Sequence, residues 1–419
     1  MSINKTVVAC PRGVQLMTLG RKFPEAPHQR LPREAYICEQ WLENERRDLF
    51  GKCWTFAGLL SEFSEAGDFR TIKAGPHSLI VIKDSSGNLR GFHNLCQHRG
   101  TELLEGCGNA GRTIVCPYHN WVYNLDGALR GVPAQKDCFP HLDKKGIQLR
   151  PAAVGVFRDL VFVHPEGQPA ESFDTWIDDL GSVPWPHDLN SDQLEESPDD
   201  VVYELKCNWK VFVENAIDGY HLAYLHKDTL GGPLPHLNTW EAKGRHLVWW
   251  STERDGVKHR IPEFVEKSAK GSWVKTVKGA NTPGYGGVYV LFPTTLITPN
   301  PWGFTISVLE PIDANRTLMR VRNWAPKGLL SYRYDAKDIP GFDSTSGLIK
   351  SSHWTVHPLE TGDFQTEDVW VCEKMQRSLQ SPNYRVGPLA RGPGGEAALD
   401  FFQQCVLEYL EPEQALAAV

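Results

Sequence analysis

Two short loops constrain this chain more than any other feature. They read Cys96-Gln97-His98-Arg99-Gly100 and Cys116-Pro117-Tyr118-His119, and each offers one thiol and one imidazole. Four such ligands can share a metal only if two β-loops face each other. A zinc finger pairs Cys with Cys and His with His. Mixed Cys/His pairs on both loops instead suit a [2Fe–2S] centre with two cysteines on one iron and two histidines on the other. A zinc site is the rival. Cys107 and Cys138 lie nearby and read as buried thiols.

The flanking texture supports hairpins. Ser78–Lys83 reads as a strand, Ser85–Asn88 as a turn and Leu89–Leu95 as the returning strand. Val122–Leu125, the Asp126-Gly127 turn and the residues from Ala128 suggest a second hairpin, and Val154–His164 a further strand pair. Residues 46–165 therefore form a small all-β unit. Before it, Ile37, Trp41, Leu42, Leu49 and Phe50 predict a helix within 33–51. After it comes an acidic, turn-rich stretch with a short helix over 173–180. A helix is then expected over 209–225, strands over 246–252, 287–298, 304–311 and 317–325, and helices over 360–381 and 396–410. The class is α+β. Lys and Arg total 44 against 51 Asp and Glu, a net charge of −7, which argues against nucleic acid or an anionic membrane as the main partner. No run reaches the roughly 18 apolar residues of a membrane span, so a cytoplasmic protein is expected.

A second constellation lies in Asn208–His226. Asp218 and His221 are three apart and share a face of a regular helix. His221 and His226 are five apart, roughly 140° around that helix, and converge only if it ends or distorts between them. Two histidines and a carboxylate with open positions can hold Fe(II) for oxygen activation. A distant carboxylate would complete the set. Asp363, Glu367 and Asp368 open the helix near the C-terminus, where acids also serve the helix dipole.

The Cys96-x-His98 pair, seventeen intervening residues and Cys116-x-x-His119 resemble the Rieske motif of the aromatic-ring-hydroxylating oxygenases, large subunit. Glu214-Asn215, Asp218-x-Tyr220-His221 and His226 are similar to the mononuclear-iron segment of the same family. The resemblance implies an N-terminal all-β Rieske [2Fe–2S] domain (46–165) and a helix-grip (START-like) catalytic domain with an antiparallel sheet (166–419). Residues 1–45 would pack on the catalytic domain. It implies a cluster on Cys96, His98, Cys116 and His119, and Fe(II) on His221, His226 and Asp368, with Asp363 and Glu367 as rivals for the third position. Asp218 would orient His221 and carry electrons from the cluster histidine of a neighbouring subunit, either His119 or His98. A homotrimer, with or without a small β-subunit, follows. So does a separate reductase or ferredoxin supplying NAD(P)H electrons, since the chain lacks a Gly-x-Gly-x-x-Gly fingerprint. Asn120 and Trp121 stand where respiratory Rieske proteins carry Gly-Ser. Fewer hydroxyl donors to sulfur imply a lower potential.

The implied function is the terminal oxygenase of a multicomponent enzyme that uses O2 to hydroxylate a small organic substrate, as in aromatic hydrocarbon catabolism. The compact Glu-Asn-x-x-Asp-x-Tyr-His spacing resembles that of the family members acting on benzoate-type aromatic acids, which implies an aromatic acid substrate. The Glu367-Asp368-x-x-x-Cys372-Glu373-x-x-Gln376 pattern also resembles that of oxygenases acting on choline or betaine-type amines, which implies the alternative of such an amine held in an aromatic cage. A zinc-stabilised binding protein is the reading from another class. Trp249, Trp250, Trp273, Tyr285, Tyr289, Phe292 and Trp302 are candidate pocket linings. Arg245, His246 and Arg254 are candidate carboxylate anchors, with exposed surface positions the alternative.

Overall fold

The computed structural model describes residues 26–177, 180–181, 183, 194–196, 201–229, 238–251, 284–300, 303–326, 336–392 and 395–410. It also describes a two-residue pairing of Val8–Ala9 with Gln15–Leu16. The first unit is built on a seven-stranded antiparallel sheet. Its order is Thr55–Leu59, Leu160–His164, Pro151–Phe157, Leu89–His93, His77–Lys83, Asp68–Ala74 and Cys107–Asn109. A three-stranded sheet of Thr113–Val115, Val122–Asn124 and Leu129–Gly131 lies against it. Ile80, Ile82 and Phe92 from one sheet and Ile114, Tyr123 and Leu129 from the other form one core, which includes Cys96 and Cys116. The two cysteine loops are thus anchored in packed hydrophobic residues.

The second unit carries a larger sheet. Its strands run Asn238–Lys243, His246–Ser251, Gly284–Leu291, Thr295–Asn300, Gly303–Asp313, Arg316–Pro326 and Val201–Leu205 in antiparallel order, and Leu194–Glu196 pairs with Arg316–Pro326. Leu348–Lys350 then adds the one parallel pairing in this sheet among the described residues. The strand expected over 287–298 is two strands, folded back through a Phe292–Pro293 turn. Alternation decides the faces. Leu247, Val290, Leu296, Leu309 and Met319 join the core beneath the helices Trp209–Ala216, Phe364–Leu379 and Ala397–Leu407. Val248, Tyr289, Ile297 and Ile306 point the other way, onto Trp54, Phe56, Leu160 and Phe162 of the first unit. This period of two sandwiches the sheet between helices and the β-domain. Tyr289 and Phe292 are consequently core residues, at 1% exposure each.

The N-terminal segment joins the helix-side core through Leu31, Ala35, Tyr36, Trp41 and Leu42. Its expected single helix is two, Glu34–Ile37 and Glu39–Asp48, broken at Cys38. Glu45 of the second helix is fully buried and accepts from Lys210 Nζ at 2.6 Å, Trp41 Nε1 at 3.1 Å and Trp209 Nε1 at 2.8 Å. Burial lowers the Lys210 ammonium, and Glu45 opposes that shift. No sequence pattern signalled this ion pair.

Candidate metal centres

The two cysteine loops are built alike. In each, the residue four after the cysteine donates its N–H to the cysteine carbonyl: Gly100 to Cys96 at 2.9 Å and Asn120 to Cys116 at 3.1 Å. The residue five after it accepts from the cysteine N–H: Thr101 at 2.9 Å and Trp121 at 2.8 Å. Gly100 and Asn120 are both left-handed, at φ 75° and 54°. That region tolerates Gly and Asn, so Asn120 is a turn residue at a position that asks for one. Cys96 and Cys116 are buried at 3% and 1% exposure. The rings of His98 and His119 lie 4.6 Å apart, centroid to centroid. Trp121 stacks on His98 at 4.8 Å and 6°, whereas His119 lies beside the exposed Tyr118.

The donors fit a [2Fe–2S] group. His98 Nδ1 is buried with no hydrogen-bond partner, the condition expected of an imidazole whose lone pair belongs to a metal. Burial, and then Cys116 alongside, push the Cys96 thiol up, so two adjacent thiolates here require a cation. One sulfur does receive a hydroxyl. Tyr123 Oη lies 3.2 Å from Cys96 Sγ and accepts from Gln97 N at 3.0 Å. Because its oxygen is taken by an N–H, its proton is left for the sulfur. Tyr123, four residues past His119, is thus a donor that the residues at 120 and 121 do not reveal. Cys107 and Cys138 are exposed, contrary to expectation: Cys107 lies on the edge strand of the seven-stranded sheet, and Cys138 ends the short helix Gln135–Cys138, which buries no residue.

The helical segment departs from expectation where it matters. The helix runs Trp209–Ala216, unwinds through Ile217–His221 and resumes as Leu222–Leu225. Asp218 Oδ1 accepts from Tyr220 N at 2.7 Å, a local turn that competes with the helix ladder and precedes Gly219. Asp-Gly was the overlooked signal. The break brings the two rings together: His221 Nε2 and His226 Nε2 are 3.2 Å apart. Asp368 Oδ1 lies 3.0 Å from the second and 3.6 Å from the first. One ligand atom from each of the three lies within 4.8 Å of the others.

The rival acids are occupied elsewhere. Asp363 caps the Phe364–Leu379 helix, accepting from Gln365 N and Thr366 N. Glu367 Oε2 lies 2.7 Å from His226 Nδ1, the far side of the ring. Asn215 Nδ2 donates to Asp368 Oδ1 at 2.8 Å. Asp218 Oδ2 is 3.4 Å from His221 Nδ1.

Two nitrogens bound to one ion at roughly 2.1 Å and near a right angle stand about 3 Å apart, which is what this pair shows. The charges agree. Burial alone would lower the His221 imidazole, but Asp218 and Asp368 reverse that and raise it to about 10. His226 is raised in the same way, and burial of Asp368 is outweighed by the two histidines, which lower it. Three carboxylates around two imidazoles form a well for a cation.

The candidate carboxylate anchors do not reach this centre. Arg245 is buried against Glu171 at 2.7 Å, and His246 bridges Trp176 O at 2.8 Å and Phe292 N at 3.2 Å. Both join elements of the fold. The side chains of Trp249, Trp250 and Tyr285, and all of Trp273, Trp302 and Arg254, lie outside the described residues. Among the described residues no helix is long and apolar enough to cross a membrane.

Comparison with known proteins agrees with this geometry. Residues 194–412, more than half of the chain, match the family described as ring hydroxylating alpha subunit (catalytic domain), and residues 53–148 match the Rieske [2Fe-2S] domain. The glycine betaine monooxygenase oxygenase subunit of Chromohalobacter salexigens is 25% identical over 410 residues, covering 91% of this chain and 87% of that protein. The anthranilate 1,2-dioxygenase large subunit of Acinetobacter baylyi is 32% identical over 202 residues, covering 47% of this chain and 42% of that protein. A solved quaternary ammonium Rieske monooxygenase, described for carnitine oxidation by gut microbiota and inter-subunit electron transfer, has a TM-score of 0.69. It is 22% identical and covers 94% of this chain and 100% of that one, a likeness of fold.

Proposed function

The chain belongs to the ring hydroxylating alpha subunit family, and we propose that within it the protein is a monooxygenase of a small quaternary ammonium or betaine-type compound. It is a Rieske-type non-heme iron oxygenase, the terminal component of its system. One observation carries the substrate reading: glycine betaine, carnitine and choline monooxygenases align along 86–91% of the chain, whereas the anthranilate dioxygenase, like one further betaine enzyme, aligns along about half. The aromatic-acid expectation gives way to its alternative on that ground. The Glu367-to-Gln376 pattern agrees with it.

The residue roles follow from chemistry. Cys96, His98, Cys116 and His119 would hold the [2Fe–2S] group, and His221, His226 and Asp368 the iron. Bound there, the two groups would supply single electrons and oxygen activation. Asn215 turns the Asp368 carboxylate by its amide hydrogen bond. Asp218 faces the far nitrogen of His221 and would link it to a neighbouring subunit's His119 or His98. Exposed Tyr118 beside one centre, and exposed Tyr220 and Tyr224 beside the other, are surfaces that such a homotrimer would cover. The domain limits 1–45, 46–165 and 166–419 follow the two sheets, with Leu49, Phe50 and Cys53 packing into the helix-side core of the second unit. A reductase or ferredoxin completes the system, with or without a small β-subunit.

Oxygen uptake with a surrogate reductase tests the reading. Uptake is expected with choline, betaine or carnitine, together with a hydroxylated or demethylated product in equal amount. Turnover of benzoate-type acids with no response to any quaternary amine would overturn it.

A further inference from the structure

The two imidazoles of the iron site are backed unequally. His226 is 1% exposed, and its Nδ1 lies 2.7 Å from Glu367 Oε2. Thr229 Oγ1 donates to the same Glu367 oxygen at 2.8 Å, and Glu367 is itself 1% exposed. His221 differs. Its Nδ1 is 3.4 Å from Asp218 Oδ2 and makes no hydrogen bond, and its side chain is 18% exposed. Glu367 closes the first turn of the Phe364–Leu379 helix and Asp368 follows it directly. Two adjacent residues therefore deliver one carboxylate to the centre and another to the back of a histidine.

We propose that Glu367, pinned by Thr229, is the positioning residue of His226, and that this pair is the rigid pole of the metal centre while the His221–Asp218 pole is left adjustable. The proposal rests on the reading that His221, His226 and Asp368 hold a metal. An imidazole that offers Nε2 to a metal carries its proton on Nδ1. A buried carboxylate accepting that proton sets the tautomer, fixes the ring plane and makes Nε2 more basic. The Thr229 hydroxyl keeps the carboxylate from rotating away. At His221 the longer contact and partial exposure leave the ring room to turn.

The test is equilibrium dialysis of the cluster-loaded protein against Co(II), with cobalt counted by mass spectrometry so that cluster iron does not interfere. Glu367→Gln is expected to weaken cobalt binding about 10- to 100-fold. Thr229→Val should fall between that variant and the parent, and Asp218→Asn should change affinity less than about threefold. The visible spectrum of the cluster and the urea midpoint of the cobalt-free protein should stay at parent values, which a merely structural role would not predict. Parent-like cobalt binding by Glu367→Gln, with binding lost in His226→Ala, overturns the positioning role and leaves the metal-site reading intact. Parent-like binding by His226→Ala overturns the metal-site reading itself. Equal losses in Asp218→Asn and Glu367→Gln overturn the asymmetry. If Glu367→Gln does not fold, Thr229→Val decides, and parent-like binding there overturns the proposal.

Discussion

Tyr123→Phe is expected to lower the potential of the cluster. The side chain is fully buried at 0% exposure, so the change removes one oxygen and leaves the ring packed. The lost hydroxyl lies 3.2 Å from Cys96 Sγ, and its oxygen already accepts from Gln97 N at 3.0 Å, so the sulfur is the acceptor left for its proton. A hydrogen bond to a charged acceptor contributes about 1.5–3 kcal/mol, but it is made to both redox states. Only its strengthening on reduction counts, on the order of 1 kcal/mol, because the reduced centre carries one more negative charge. At about 59 mV per 1.4 kcal/mol for one electron, the potential should fall by roughly 40 mV. Gln97 is exposed, so water can replace the tyrosine oxygen and the fold should lose no more than about 1 kcal/mol. A spectroelectrochemical titration of the visible bands, with iron and sulfide analysis of the same samples, measures the shift. A change below about 10 mV, or a rise, would show that the hydroxyl does not donate to the cluster sulfur.

Asp218→Asn should keep both metal groups bound and lower turnover about 10- to 100-fold, by steady-state oxygen uptake and iron analysis, and full activity would remove Asp218 from the relay. Asp368→Ala should lose the mononuclear iron while the cluster spectrum persists, and retained iron would shift the ligand role to another acid. Lys210→Met leaves the Glu45 carboxylate buried without its cation and should cost about 3–5 kcal/mol in urea unfolding, a loss that a matched apolar replacement of both residues would largely restore. His246 is pushed down to about 4 by burial. The unfolded chain therefore binds its proton first, so the contribution is complete above pH 6.5 and is lost as pH falls towards 4, about 3 kcal/mol in all. His246→Gln should flatten that part of the stability curve, and an unchanged curve would refute the assignment.

Much of this protein is written in local patterns. Mixed Cys/His pairs announce a metal cradle because ligand chemistry is a property of residue type and short spacing. The hairpins around them follow from turn residues, and the inner face of the C-terminal helix follows from the period of Val369, Cys372, Gln376 and Leu379, all of which are buried. Tertiary structure alone decided which atoms meet. Asp363, Glu367 and Asp368 look equivalent as acids at the start of one helix, yet one caps, one backs His226 and one faces the centre, because helix rotation against the Trp209–Ala216 helix sorts them. The convergence of His221 and His226 required a helix break, a competition between local turn and ladder that periodicity does not register. Tyr123, Glu45 and Lys210 acquired their partners across long chain separations, and burial in a shared core, which no window of sequence contains, is what made those contacts strong.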